Sequence, residues 1–130
     1  MSADETTHRP DQGLLHDWNL VAEQPAPGHP VEIDDETLRD GLQSPSVRQP
    51  RLDEKIQILH AMSALGIRSA DVGYAGASPH VLEDIIALLK EIDGAGLGIV
   101  PNCAGRTTEH DIHPMAEAQQ RSGVALEASL

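Results

Sequence analysis

The chain has 130 residues and a mass of 13.9 kDa, which fits one domain of ordinary size and leaves no length for a second. Its 21 Asp and Glu against 9 Lys and Arg give a net charge of −12, which argues against nucleic acid and anionic membrane as partners. A single cysteine, Cys103, excludes an internal disulfide framework, and a start reading Met-Ser-Ala-Asp-Glu lacks the basic-then-apolar order of a secretory leader, so the expected compartment is the cytoplasm.

With no Phe, one Trp and one Tyr, the core must be aliphatic. Residues 1–30 carry Pro10, Pro25, Pro27 and Pro30 among scattered Asp, Glu, His and Gln, a composition that buries too little apolar surface to offset its ordering entropy. They are expected to form a flexible arm, in which Leu14–Val21, with Trp18, is the one stretch suited to docking. From residue 31 a different rhythm begins. Val31–Asp34 alternates like a short strand, and Leu52–Gly66 predicts a helix whose Ile56, Leu59, Met62 and Leu65 fall on one face, stopped by Gly66. Ile67–Gly73 reads as a second strand. Ser78 followed by Pro79 is a helix start, and the helix is expected to run to Asp93 with Gly94 closing it. Leu97–Val100 is the third predicted strand, Glu109–Ser122 the third long helix with a kink at Pro114, and Val124–Ala128 the fourth strand.

Strand centres near Ile33, Val72, Ile99 and Leu126 lie 39, 27 and 27 residues apart, the spacing of strand-plus-helix units and hence of a parallel sheet. An open doubly wound sheet and half of a (β/α)8 barrel are both compatible with it. In either, ligands gather at the carboxyl ends of the strands. The first such end, Asp35–Gln43, is the richest: Arg39 sets a fixed cation beside Asp40, a hard oxygen ligand, and Gly41 is expected to allow a sharp turn. That pair suits an anion held on a metal, and a surface salt bridge is the alternative. His110 and His113 with Asp111 are read as a solvated helix start, Cys103 as a buried structural thiol, and Gly94-Ala-Gly-Leu-Gly98 as no dinucleotide loop, because it precedes a strand.

The string DETLRDGLQSP, Asp35–Pro45, resembles the first-strand signature of the 2-isopropylmalate synthase and homocitrate synthase family, within the metal-dependent lyases and synthases that include hydroxymethylglutaryl-CoA lyase. Asp71-Val-Gly-Tyr-Ala-Gly-Ala-Ser-Pro79 is similar to the family's second-strand segment, and Cys103-Ala-Gly-Arg106 with Asp111-Ile112 to its third. The resemblance covers residues 31–130. It implies an α/β fold, the first half of a TIM (β/α)8 barrel truncated after the fourth strand, within a pyruvate carboxyltransferase-like domain of roughly 250 residues. The implied activity is Claisen condensation of acetyl-CoA with a 2-oxo acid on a divalent metal (magnesium, manganese or zinc), as in leucine biosynthesis, by a protein that is a homodimer at full length. The alternatives are a lyase-like retro-condensation and an inactive fragment or interaction module.

For the site, the resemblance implies Asp40 as a metal ligand, Arg39 and Asp71 as catalytic residues, and Gln43, Asn102 and Arg106 as substrate contacts. For Arg106 a salt bridge to Asp111 or Glu109 is the competing reading. The family carries glutamate where this chain has Asp71, so the acid here is one methylene shorter. Leu42 and Ser46 stand where synthases often show Glu and Gly, and the family's His-x-His metal pair does not occur in this sequence.

Overall fold

The computed structural model describes Gly28 and residues 30–130, of which Glu32–Leu130 form one compact unit. The arm expected over 1–30, including Trp18, lies outside the described residues apart from Gly28 and Pro30. The unit runs β1 (Asp34–Asp35), α1 (Asp40–Gln43), α2 (Leu52–Leu65), β2 (Ser69–Asp71), α3 (Pro79–Gly94), β3 (Val100–Ala104), α4 (Glu109–Ser122) and β4 (Glu127–Ser129). The four strands form one parallel sheet in the order β1-β2-β3-β4. Sequential parallel strands joined by helices make this an α/β fold, the arrangement of the first half of a (β/α)8 barrel.

The helices follow from local chemistry. In α2, the Arg51 backbone amide donates to Glu54 Oε2 at 2.8 Å, and Gly66 at φ 84° ends the helix with its amide on Ser63 O. Ser78 Oγ accepts from the Val81 amide at 3.3 Å and Pro79 fills the first position of α3, as the sequence predicts. Gly94 belongs to that helix, and the left-handed residue beyond it is Gly96. The helix α4 continues through Pro114 to Ser122.

Leu59, Ile85, Leu88 and Leu89 are fully buried, each contributing about 1.5–3 kcal/mol of burial, and they pack with Ala70, Val72 and Cys103 from the sheet. Leu65, expected on the buried stripe of α2, is instead 81% exposed as the last residue of the helix.

β2 falls inside the expected Ile67–Gly73, but the other three strands lie later in the chain than the apolar runs suggest. Ile33 is exposed and precedes β1, Leu97–Ile99 precede β3, and Val124–Leu126 precede β4. For β3 the cause is visible: Gly96 and Gly98 adopt φ of 61° and 68°, left-handed values that extended backbone does not take, so pairing starts only at Val100. Leu97 and Ile99 stay buried in the core without belonging to the sheet. The strand residues themselves alternate. Ala70, Val72 and Cys103 face the helices, while Asp34, Ser69, Asp71 and Asn102 share the other face, which in a closed barrel is its interior.

Candidate active site

The loop after β1 is tied by its own backbone. The Thr37 amide donates to Asp35 Oδ1 at 2.8 Å, and the amides of Arg39 and Gly41 both donate to Glu36 O, which starts α1 without a side-chain cap. Gly41 has no positive φ, and a Cβ placed on it would meet Glu36 O at an ordinary 3.7 Å, so the sharp turn expected there does not depend on glycine. No periodicity in the sequence announces α1, which is one turn long.

This loop delivers Arg39 to the end of β2. Nε donates to Asp71 Oδ2 at 2.9 Å, Nη1 to Asp40 Oδ1 at 3.1 Å and Nη2 to Glu36 Oε2 at 2.5 Å. Asp71 is buried, and its other oxygen accepts the Gly73 amide at 3.0 Å. Burial pushes the Asp71 carboxyl above the usual carboxylate range, with the Gly73 amide and Arg39 pulling against that shift. The same hydrogen bond raises the Arg39 guanidinium further, so this cation is permanently charged. The acid at position 71, although one methylene shorter than glutamate, makes the Arg39 contact directly. Gly73, at φ 143°, lets the chain turn away immediately after it.

A second cluster sits beside the first. Asp111, expected on a solvated helix start, is fully buried, whereas His110 and His113 are both exposed. Its carboxylate accepts the Arg106 backbone amide at 2.8 Å, Arg106 Nε at 2.7 Å and Tyr74 Oη at 2.7 Å, and Tyr74 Oη in turn accepts Arg106 Nη2 at 2.8 Å. These donors hold the Asp111 carboxyl far below the usual range. The buried space it occupies is defined by Gly76 and Gly105: a Cβ on Gly76 would lie 2.8 Å from Asp111 Oδ1. Of the two sequence readings for Arg106, the geometry has the Asp111 salt bridge, yet the arginine also lines a cleft of about 470 Å³ with Arg39, Gln43 and Tyr74. A narrower pocket of about 210 Å³ shares Arg39, Gln43 and Tyr74 and reaches the 2.7 Å ion pair between Lys55 of α2 and Asp84 of α3.

The structure thus brings Arg39, Asp40, Asp71, Gln43 and Arg106 to one end of the sheet. Asn102 is the direct register partner of Asp71 and shares its face of the sheet. It lies in the middle of β3 instead of at its mouth, and its Nδ2 donates to Asp34 Oδ1 at 2.8 Å while its buried Oδ1 has no partner among the described residues. Tyr74 is the member that sequence reasoning left without a role, and Asp111, named there only as a salt-bridge partner for Arg106, is the buried centre of the cluster. An acid three residues into a helix just after an arginine loop, with glycines at 76 and 105, was the available signal.

Among the described residues no three His, Cys, Asp or Glu side chains converge to hold a metal ion. Asp40 offers a single hard oxygen donor: its side chain is 65% exposed, and Oδ2 has no hydrogen-bond partner among the described residues. It would fit one ligand position of a divalent ion, whose other ligands the described residues do not supply. No described helix is long and apolar enough to cross a membrane.

Comparison with known proteins decides the lineage of this arrangement, since a model described as HMGL-like matches residues 30–128. The chain belongs to the HMGL-like family. It is 37% identical over 90 residues to a 2-isopropylmalate synthase of Ruminiclostridium cellulolyticum, covering 69% of this chain and 17% of that enzyme. It is 36% identical over 89 residues to a 2-isopropylmalate synthase of Neisseria meningitidis (68% and 16%), and 37% over 89 residues to one of Heliobacterium modesticaldum (68% and 16%). The chain therefore spans about a sixth of the length of these curated relatives.

Proposed function

We propose that this HMGL-like chain carries the Arg-Asp part of an acyltransferase site of the 2-isopropylmalate synthase type, which condenses acetyl-CoA with a 2-oxo acid in a cytoplasmic pathway such as leucine biosynthesis. The observation that carries the reading is the guanidinium of Arg39, fixed by buried Asp71 and adjacent to the free oxygen of Asp40 at the carboxyl end of a parallel sheet. Removing a proton from the acetyl methyl group places negative charge on the thioester oxygen, and a cation held at that position stabilises the charge. Arg39 takes this role, Asp71 holds it through Nε, and Gln43 lines the same space. Arg106, anchored by Asp111 and Tyr74, takes the acceptor's carboxylate, with Asn102 as a further substrate contact. Asp40 would give a divalent ion one oxygen ligand, and such an ion would supply Lewis-acid polarisation of the acceptor's carbonyl. The enolate carbon bonds to the acceptor's keto carbon, whose oxygen takes up a proton in place of the one removed from the methyl group, and hydrolysis of the resulting thioester by water releases CoA and the hydroxy acid. A full-length homodimer belongs to the same reading.

The test is a chimaera in which residues 32–130 replace the matching segment of the Ruminiclostridium cellulolyticum relative, assayed for free CoA with acetyl-CoA and a panel of 2-oxo acids. CoA release is expected, falling by about 10²–10³ in Arg39→Gln, the usual loss when one oxyanion donor is removed. No CoA with any acceptor, from a folded chimaera, refutes the proposal. The description HMGL-like favours one second reading, retro-condensation through the same enolate, which cleavage of a 3-hydroxy-3-methyl acyl-CoA would reveal.

A further inference from the structure

Glu36 has no part in the function just proposed, yet it makes the closest contact to Arg39. All three guanidinium nitrogens are engaged by carboxylates: Nε by Asp71, Nη1 by Asp40 and Nη2 by Glu36 at 2.5 Å. Three carboxylates around one guanidinium leave a local charge of −2, which opposes the arrival of any further negative oxygen. Three of the five guanidinium N–H groups are thus taken, and an anionic ligand gains an unopposed edge of Arg39 when one of these carboxylates moves away.

Their freedom to leave differs. The Asp71 side chain is 2% exposed and is also fixed by the Gly73 amide, so it cannot leave. Glu36 is 47% exposed, and its side chain accepts no other hydrogen bond among the described residues. Its backbone is nonetheless held in place, because Glu36 O accepts the amides of Arg39 and Gly41. A carboxylate on a short tether, anchored at the backbone and free at the tip, has the geometry of an intramolecular competitor.

We propose that Glu36 is a specificity-determining residue: it occupies the Nη2 edge of Arg39 in the absence of ligand and must swing into water before an anionic oxygen can bind there. The proposal rests on Arg39 being the anion-binding residue. Glu36 then lowers apparent anion affinity by the fraction of time that the edge is free. For an ion pair whose side chains are 21% and 47% exposed, that factor is about two- to fivefold.

The experiment titrates malonate, an unreactive dicarboxylate, into the ¹⁵N-labelled full chain and follows the arginine Nε–H resonances. Arg39 is assigned by its loss in Arg39→Gln. Glu36→Ala is expected to bind malonate about two- to fivefold more tightly than the natural chain. Asp93→Asn, which makes the same change in net charge at an exposed position of α3, is expected to alter affinity less than about twofold. Should Glu36→Ala lose the native amide spectrum, Glu36→Gln makes the same comparison. Malonate binding that persists undiminished in a folded Arg39→Gln overturns the reading of Arg39 itself. Arg39-dependent binding that the Glu36 variants leave unchanged, or that Asp93→Asn tightens equally, overturns the role of Glu36 and leaves that of Arg39 standing.

Discussion

Substituting Asp71 by Asn tests which of two opposed effects governs the buried end of the site. The carboxylate faces two donors, Arg39 Nε at 2.9 Å and the Gly73 amide at 3.0 Å. An Asn offers one acceptor oxygen to the pair and turns its NH₂ toward the other donor. The loss of a hydrogen bond to a charged partner costs about 1.5–3 kcal/mol. Relief from burying a charge offsets part of this, so Asp71→Asn is expected to destabilise the chain by about 1–2 kcal/mol at neutral pH.

The pH dependence carries the sharper test. Burial raises the Asp71 carboxyl in the folded chain, so the folded state holds the proton more tightly than the unfolded one. The stability contributed by Asp71 is therefore fully present below its ordinary value of 3.8 and declines as pH rises through the raised folded value. The Asn variant does not titrate. Urea unfolding of both proteins at about pH 4 and pH 7 should show a larger gap between them at the lower pH. A gap that narrows on acidification would mean that attraction to Arg39 outweighs burial, and would refute burial as the dominant influence on Asp71.

Two further outcomes are expected. Asp111 is depressed in the folded chain, so its contribution is present above the ordinary carboxylate value of 3.8 and lost as pH falls below it; Asp111→Asn should flatten the acid limb of the stability profile, and an unchanged limb in urea unfolding would contradict the clasp with Arg106 and Tyr74. Cys103 is fully buried, its Sγ donates to Gly73 O at 2.9 Å, and burial pushes the thiol up to about 11, so iodoacetamide at about pH 8 should label it only after urea is added. Labelling of the native chain at the rate of a free thiol would refute that placement.

The helices are legible in the sequence because their signals are local. Ser78 with Pro79 marks one start, Gly66 one end, and the limits of α4 follow from residues 109–122 alone. Strand limits depend on partners. Apolar β-branched runs suggest strands at Leu97–Val100 and Val124–Ala128, but paired backbone occurs at Pro101, Asn102 and Glu127, whose character reflects the face they occupy more than their propensity. The Arg39 and Asp40 pair is visible as adjacent letters. Arg39 with Asp71 requires bringing together residues 32 apart, for which resemblance to a known motif is the only guide. Glu36 is hidden for a different reason: in the sequence it is one more acid in an acidic loop, and only the fold sets its carboxylate on the third nitrogen of the guanidinium.

The left-handed glycines before β3 have a consequence for how this lineage can vary. Between Gly98 and Asn102 lie only three residues, and strand geometry sends successive side chains to opposite sides. Losing or gaining one residue in that interval would reverse the whole strand, burying an amide among leucines and turning a thiol toward the carboxylates. Substitutions can drift there; a change of length cannot, so a related chain that differs in this interval should differ by two residues or by none.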